Sequence, residues 1–298
     1  MSETKGQKSL VQDGGGLALT RAIGCLPHGA ALALGAGAGR MLCALAAKKR
    51  RRIEANLTGK GLPTPPPSAW DAGAHIGRTM AEMAWLLWQT PERIDATTEI
   101  EGLDAVKEAV ADGRGVLLAS AHLGNWELGV RAVARCGTPV NVIARALGSP
   151  RVEAQIARFR ESGGVHTLTR GAPGASVAAY RTLRNGHILA CMMDRMSSGR
   201  RIDVPFIGAR LKIPLGPVVL ALRARSRIIV GGTRRLPDGS SRACVRALPP
   251  VPENASVEDV ARQIASELNA MVSRDPDQWY WIYRRPKRVK AGDTKAEG

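Results

Sequence analysis

Residue patterns that mark specialised chemistry are scarce in this 298-residue chain. Its five cysteines, at 25, 43, 136, 191 and 244, include no C-x-x-C pair, so neither a zinc site nor a disulfide framework is expected, and a reducing, cytoplasmic setting fits. No P-loop, H-E-x-x-H or EF-hand pattern occurs. Gly35-x-Gly37-x-Gly39 lacks the spacing and the preceding strand of a dinucleotide fingerprint, so no metal and no nucleotide cofactor is expected. Long apolar runs are missing too. The stretch Leu17 to Ala47 is broken by Arg21, Pro27, His28, Arg40 and several glycines. The 18 residues between Arg21 and Arg40 are at the short end of the roughly 17–25 a membrane-spanning helix needs. No convincing A-x-A cleavage site precedes the mature-looking sequence and a basic run follows, which argues against a cleavable signal peptide.

Acidic residues are few: 26 Asp and Glu stand against 43 Lys and Arg, for a net charge of +17. That balance favours an anionic partner, whether nucleic acid, an acidic membrane surface or an acidic carrier protein. Aromatics are rarer still, with six Trp, three Tyr and two Phe, and four of these crowd into Trp279-Tyr-Trp-Ile-Tyr283 beside Arg284, Arg285, Lys287 and Arg288. Aromatics next to cations suit a membrane interface, and equally a buried edge strand followed by a solvated basic tail.

With 44% hydrophobic residues the chain can bury a sizeable core, in one large domain with an N-terminal appendage. Residues 1–13 are polar and expected to be disordered. Lys48-Lys-Arg-Arg-Arg52 follows the apolar stretch and reads as a cytoplasmic-side interfacial anchor or as a solvated helix face. Pro63, Pro65, Pro66 and Pro67 mark a stiff connector. Ser68 then caps a helix to about Gln89, with Ile76, Met80, Met83, Ala84 and Leu87 as its apolar stripe and Trp85 and Trp88 as candidates for a lipid-facing surface. From 115 onward strand-like and helix-like segments alternate: strands at 115–120, 139–144, 165–168 and 187–193, helices at 125–136, 150–162 and 175–185. This predicts an α/β fold with a central sheet flanked by helices. A hairpin of 228–233 and 242–248 follows, and Ser256-x-x-Asp259 opens the last helix.

The most informative segment is His122-Leu-Gly-Asn-Trp-Glu127, directly after the apolar run Val116 to Ala121. Five residues apart on one helix, His122 and Glu127 would diverge by about 140°, so His122 belongs to the loop. With Asn125 as N-cap, Glu127 opens the helix and can fold back to the imidazole, forming a general-base dyad for an acceptor hydroxyl. Backbone N–H groups around Gly124 and Asn125 are candidate oxyanion donors. Asp194 and Arg195 end another strand, where α/β sheets gather their sites, although a surface salt bridge is the alternative. Arg145, also at a strand end, is a further anion ligand. Arg158 and Arg160 project about 200° apart, so at most one of them faces the site.

The string H-x-G-N-W-[D/E] after a strand resembles the signature of bacterial lipid A biosynthesis acyltransferases, within the lysophospholipid acyltransferase superfamily, and phosphatidylinositol mannoside acyltransferases look similar. Arg160-Glu-Ser-Gly-Gly164, Asp194-Arg195, Val204-Pro-Phe-Ile-Gly208, Pro214-Leu-Gly-Pro217, Gln278-Trp-Tyr-Trp281 and Arg284-Arg285 fall in that family's order, from about 50 to 287. The resemblance implies a glycerolphosphate-acyltransferase-like α/β fold with a central mixed sheet and an N-terminal membrane-associating helical segment. Residues 1–52 would be a disordered start plus anchor, 53–287 the acyltransferase domain, and 288–298 a flexible basic tail. It implies His122, Glu127 and Asp194 as catalytic residues, and Arg160, Arg195, Arg145, Gly124 and Asn125 as substrate-binding ones. Arg160 is then favoured over Arg158, its fork suiting a phosphate or carboxylate. The expected activity is transfer of a fatty acyl group from acyl carrier protein or acyl-CoA to a hydroxyl of a lipid A precursor, at the cytoplasmic face of a bacterial inner membrane. No cofactor and no nucleic-acid partner are expected. Another lipid acceptor, or a non-catalytic basic membrane- or nucleic-acid-binding module, is the alternative.

Overall fold

The strand Val116–Ser120 is apolar on both faces, as a strand in the middle of a covered sheet must be. In the computed structural model Leu117 and Ala119 enter one core with the helices at 175–184, 216–223 and 257–274, while Val116 and Leu118 enter a second core with those at 103–111 and 126–134. The structure describes residues 3–57, 62, 66–146, 149–195, 199–207, 209–252 and 254–282, the side chains of 3–13 and of 209 excepted. Pro63, Pro65, Gly208, the basic residues from Arg284 to Arg288 and the expected tail at 288–298 lie outside the described residues.

In chain order the elements are α1 (Glu3–Gly24), α2 (His28–Leu45), α3 (Ala47–Leu57), α4 (Ala69–Leu86), α5 (Pro91–Asp95), β1 (Thr98–Glu101), α6 (Leu103–Ala111), β2 (Val116–Ser120), α7 (Trp126–Ala134) and β3 (Val140–Ala144). There follow α8 (Pro150–Glu161), β4 (Val165–Thr169), α9 (Ala175–Arg184), β5 (Ile188–Met192), β6 (Arg201–Phe206), β7 (Ala209–Pro214), α10 (Gly216–Arg223), β8 (Arg227–Arg235), β9 (Ser241–Ala247), α11 (Val257–Arg274) and a 3-10 turn at Pro276–Gln278. The seven-stranded sheet has the order β1-β9-β8-β2-β5-β3-β4, parallel throughout except for the β8–β9 hairpin, and β6 and β7 form a separate ribbon. This is the α/β fold that the alternation of segments predicts, with the mixed sheet that the family resemblance implies. Expectation did not assign β1, α5, α6, α10 or the β6–β7 ribbon.

The N-terminal layer departs further from expectation. The expected disordered start is helical from Glu3. Pro27 separates α1 from α2, and the boundary at 52 falls inside α3. Helix α2 lies against α4 through Gly35 and Gly39 on one side and Gly73 and Gly77 on the other: a Cβ at Gly39 would collide with the Gly73 carbonyl, and one at Gly77 with that of Gly35. This close approach changes which face of α4 is buried. Ala72, Gly73, Ala74, His75, Thr79, Glu82 and Trp85 are inside, whereas Met80 of the expected stripe is 40% exposed. Trp85 does not face outward either, being 2% exposed with its indole N–H donated to the Leu26 carbonyl, and Trp88 donates to Thr20 Oγ1. The exposed apolar side chains are instead Leu19, Leu34, Met41, Leu42 and Leu45 of α1 and α2, with Trp70 and Met80. Among the described residues no single helix is long and apolar enough to cross a membrane, and α2 with α3 meets that test only as a pair bent by 99°.

Candidate active site

Strand register assembles the site. In the parallel pair β2–β5, Ser120 lies opposite Met192 where both strands end, and two residues past each end lie His122 and Asp194. The imidazole Nδ1 is 2.7 Å from Asp194 Oδ1, and the His122 backbone N–H donates to Oδ2 at 2.9 Å. Trp279 Nε1 donates to the same Oδ2 at 2.7 Å. Three donors therefore offset the cost of burying this carboxylate, which is fully inaccessible. Because a carboxylate accepts, Nδ1 carries the hydrogen and Nε2 keeps the lone pair, the tautomer of a general base.

The residues from 276 to 281 form a strap across the His122 loop. Leu123 bridges to Trp279, Gly124 N–H donates to the Gln278 carbonyl at 3.0 Å, and Tyr280 N–H donates to the His122 carbonyl at 2.9 Å. Trp279 and Trp281 are buried, edge to face, so the buried alternative holds for these aromatics. Trp126 stands edge-on to His122 with ring centroids 4.7 Å apart.

Glycine is required at 124, where φ is +57° and a Cβ would strike the Thr233 carbonyl. Its N–H is committed to Gln278, so it is not the oxyanion donor expected. Asn125 is fully buried. Its Oδ1 caps α7 by accepting from Glu127 N–H, and its Nδ2 donates to Glu82 Oε2 at 2.8 Å, so its side chain serves the loop and not an incoming ligand. Glu82 is the hub of a buried network: Arg235 reaches both its oxygens, and His28 Nε2 is 2.8 Å from Oε1. Burial alone would raise the Glu82 carboxyl, but the bonds from Arg235, His28 and Asn125 outweigh it and bring it down to about 2. Two turns earlier, burial together with Arg235 and Arg78 pushes His75 down to about 3, so it is neutral. His75 bonds Thr79, whose hydroxyl reaches the Gly124 carbonyl.

The carboxylate expected to fold back on His122 is engaged elsewhere. Glu127 takes a two-pronged contact from Arg160, Nε to Oε2 at 2.9 Å and the terminal nitrogen to Oε1 at 2.5 Å. The imidazole's Nδ1 partner is thus Asp194 and not Glu127, and the Arg160 fork holds a carboxylate of this chain and not one of a substrate. Arg158 points outward to Gln155, as the 200° divergence requires. Arg145 and Arg195 sit at the ends of neighbouring strands, as expected. Arg170, at the end of β4, joins them: burial first, then the charges of Arg145 and Arg195, lower its guanidinium pKa. The buried thiol of Cys191, three residues before Asp194, is pushed up to about 12 and cannot act as a nucleophile.

The model of the bacterial lipid A biosynthesis acyltransferase family matches residues 13–288. The chain belongs to this family. Curated relatives include phosphatidylinositol mannoside acyltransferases of Mycobacterium tuberculosis, 31% identical over 134 residues, which are 44% of this chain and 42% of the relative. That of Mycolicibacterium smegmatis is 26% identical over 195 residues, 64% of this chain and 62% of the relative. The chain thus spans less than two thirds of the length of these relatives. Within this acyltransferase family member, Trp279, Glu82, Arg235 and Arg170 are residues that sequence reasoning did not assign to the site. Trp279 lay inside the quoted Gln278-Trp-Tyr-Trp281 string, whereas Glu82 showed only as a carboxylate on an apolar helix.

Proposed function

We propose that this chain transfers a fatty acyl group from a thioester, carried by acyl carrier protein or coenzyme A, to a hydroxyl of a glycolipid. The observation that carries this reading is the His122–Asp194 pair at the carboxyl ends of adjacent parallel strands, with Nε2 left as the basic nitrogen. In the reaction Nε2 takes the acceptor's hydroxyl proton and the alkoxide oxygen attacks the thioester carbonyl. The tetrahedral adduct then expels the thiolate, which recovers the proton from the imidazolium. Asp194 fixes the ring and stabilises its cationic form. Glu127 and Arg160 act as positioning residues at the opening of α7. Arg145, Arg170 and Arg195 supply positive charge for phosphate groups of the substrates.

A lipid A precursor is the acceptor that the family description favours, and a phosphatidylinositol mannoside is the reading favoured by the relatives. Both offer a sugar hydroxyl on an anionic lipid. The exposed apolar side chains of α1 and α2, followed by Lys48 to Arg52 on α3, support attachment to the cytoplasmic face of an inner membrane, with apolar and charge contributions together. The net charge of +17 suits an acidic carrier protein as donor. The test is mass spectrometry of lipid extracts from cells with and without the gene, paired with acylation of purified acceptors in detergent. A lipid differing by one acyl chain is expected, and identical lipidomes together with no transfer to either acceptor would sink the proposal.

A further inference from the structure

A cavity of about 420 Å³ lies between α2, α4 and the end of α11 with its 3-10 turn, and none of its lining residues belongs to the His122 loop. Three guanidiniums from three helices line it, Arg40, Arg78 and Arg274, together with two carboxylates, Asp71 and Asp277. Among the described residues none of these five groups makes an ion pair within 4.0 Å, although the same criterion finds pairs elsewhere on the surface such as Arg114–Asp112 and Arg242–Glu99. Opposite charges that share one cavity without touching leave Coulombic attraction for a ligand able to bridge them. Arg78 shows the strain of this arrangement, since burial and the charges of Arg40 and Arg235 lower its pKa. Burial raises that of Asp277.

We propose that this cavity binds a zwitterionic phosphodiester of the phosphoethanolamine type, its phosphate oxygens on the three guanidiniums and its ammonium on Asp71 and Asp277. Guanidinium forks match phosphate oxygens two at a time, and an ammonium matches carboxylates, so both halves of the headgroup find partners here. Three positive and two negative groups also explain the preference over a simple dianion, which the carboxylates repel. The source is a membrane phospholipid: Arg40 adjoins Met41, which with Leu42 and Leu45 is exposed and apolar where the acyl tails would lie. The lipid source rests on the membrane attachment proposed above, whereas the headgroup chemistry stands without it.

The test is calorimetry on the detergent-solubilised full chain with glycerophosphoethanolamine, inorganic phosphate and ethanolamine as separate probes. Glycerophosphoethanolamine should bind about tenfold more tightly than either fragment. Arg40→Gln and Arg274→Gln, both at exposed positions that leave folding intact, should each weaken it, and Asp277→Asn should weaken it while strengthening phosphate binding. His122→Ala should bind like wild type, which separates this site from the proposed transferase reaction. Equal affinity for phosphate and glycerophosphoethanolamine, or unchanged binding in the Arg40→Gln/Arg274→Gln double variant, would overturn the assignment. Co-sedimentation with phosphatidylethanolamine vesicles at high salt decides the source: the double variant should sediment less than wild type, and equal sedimentation would overturn the membrane lipid in favour of a free phosphodiester.

Discussion

The sheet and the N-terminal helical layer meet at the His122 loop, yet they are built on opposite plans. In the sheet, apolar strands such as Val116–Ser120 are buried on both faces and polar chemistry waits for the strand ends. In the helical layer, glycines and a buried carboxylate face inward on α4 while large apolar side chains of α2 face out. A sheet core makes hydrophobicity a reliable guide to the inside. Where α2 and α4 pack backbone to backbone that guide fails, because the space at Gly35, Gly39, Gly73 and Gly77 is too small for Leu or Met.

The strand ends should yield the largest effect. His122→Ala should lower turnover by about 10²–10⁴, since a base is removed, and should cost about 1–3 kcal/mol of stability, since buried Asp194 loses one of its three donors. Asp194→Asn should fall close behind, and Glu127→Gln well short of both in an acyl-transfer assay. Equal losses for Glu127→Gln and Asp194→Asn would restore Glu127 as the imidazole's partner.

In the helical layer the corresponding change should act on stability. Glu82→Gln leaves Arg235 buried without its counter-charge, and breaking such a pair typically costs about 3–5 kcal/mol in denaturant unfolding. The pH dependence separates two contributors. Glu82, depressed to about 2, contributes stability that is complete above the unfolded carboxyl range and lost as pH falls towards 2. His75, depressed to about 3, is neutral when folded and protonates when unfolded, so stability falls as pH drops from about 6.5 towards 3. His75→Gln should therefore flatten the upper part of that decline and leave the acid limb in place.

Smaller effects sharpen the contrast within single elements. Gly39→Ala should destabilise by about 1–3 kcal/mol through overpacking. Gly37→Ala, two residues away with nothing within 4 Å of the added Cβ, should be neutral or stabilise by up to about 1 kcal/mol. Likewise Arg160→Lys should cost about 1.5–3 kcal/mol by losing its fork on Glu127, against about 0.5 kcal/mol or less for Arg158→Lys. Matching thermal shifts at 158 and 160 would remove the distinction between them.

These regions differ in how far the sequence discloses them. Strand ends at 120, 144 and 192 follow from apolar runs and turn residues, and with them the placement of His122, Asp194, Arg145 and Arg195 at one edge. Which carboxylate meets the imidazole does not follow, because it depends on pairing β2 with β5 and not with its sequence neighbour β3. Spacing therefore favoured the nearby Glu127 over Asp194, which is 72 residues away. The Glu82 hub joins residues 28, 82, 125 and 235, and no local pattern links four positions so far apart. The apolar stripe assigned to α4 holds only in part: Ile76 and Leu87 pack against the cores, but Met80 is exposed, because periodicity locates large side chains and the closest approach to α2 is made through glycines.

The strap gives the chain an order of assembly. Asp194 takes one of its three donors from Trp279, which is 85 residues later, and the His122 loop takes its backbone partners from 278 and 280. A nascent polypeptide can complete every strand of the sheet while Trp279 is still inside the ribosome, and at that stage the buried carboxylate lacks a partner and the base lacks its support. Reactivity thus arrives last in synthesis, after α1, α2 and α3 have had the time of more than two hundred further peptide bonds to fold. With the membrane attachment proposed above, the chain would be seated before it is switched on.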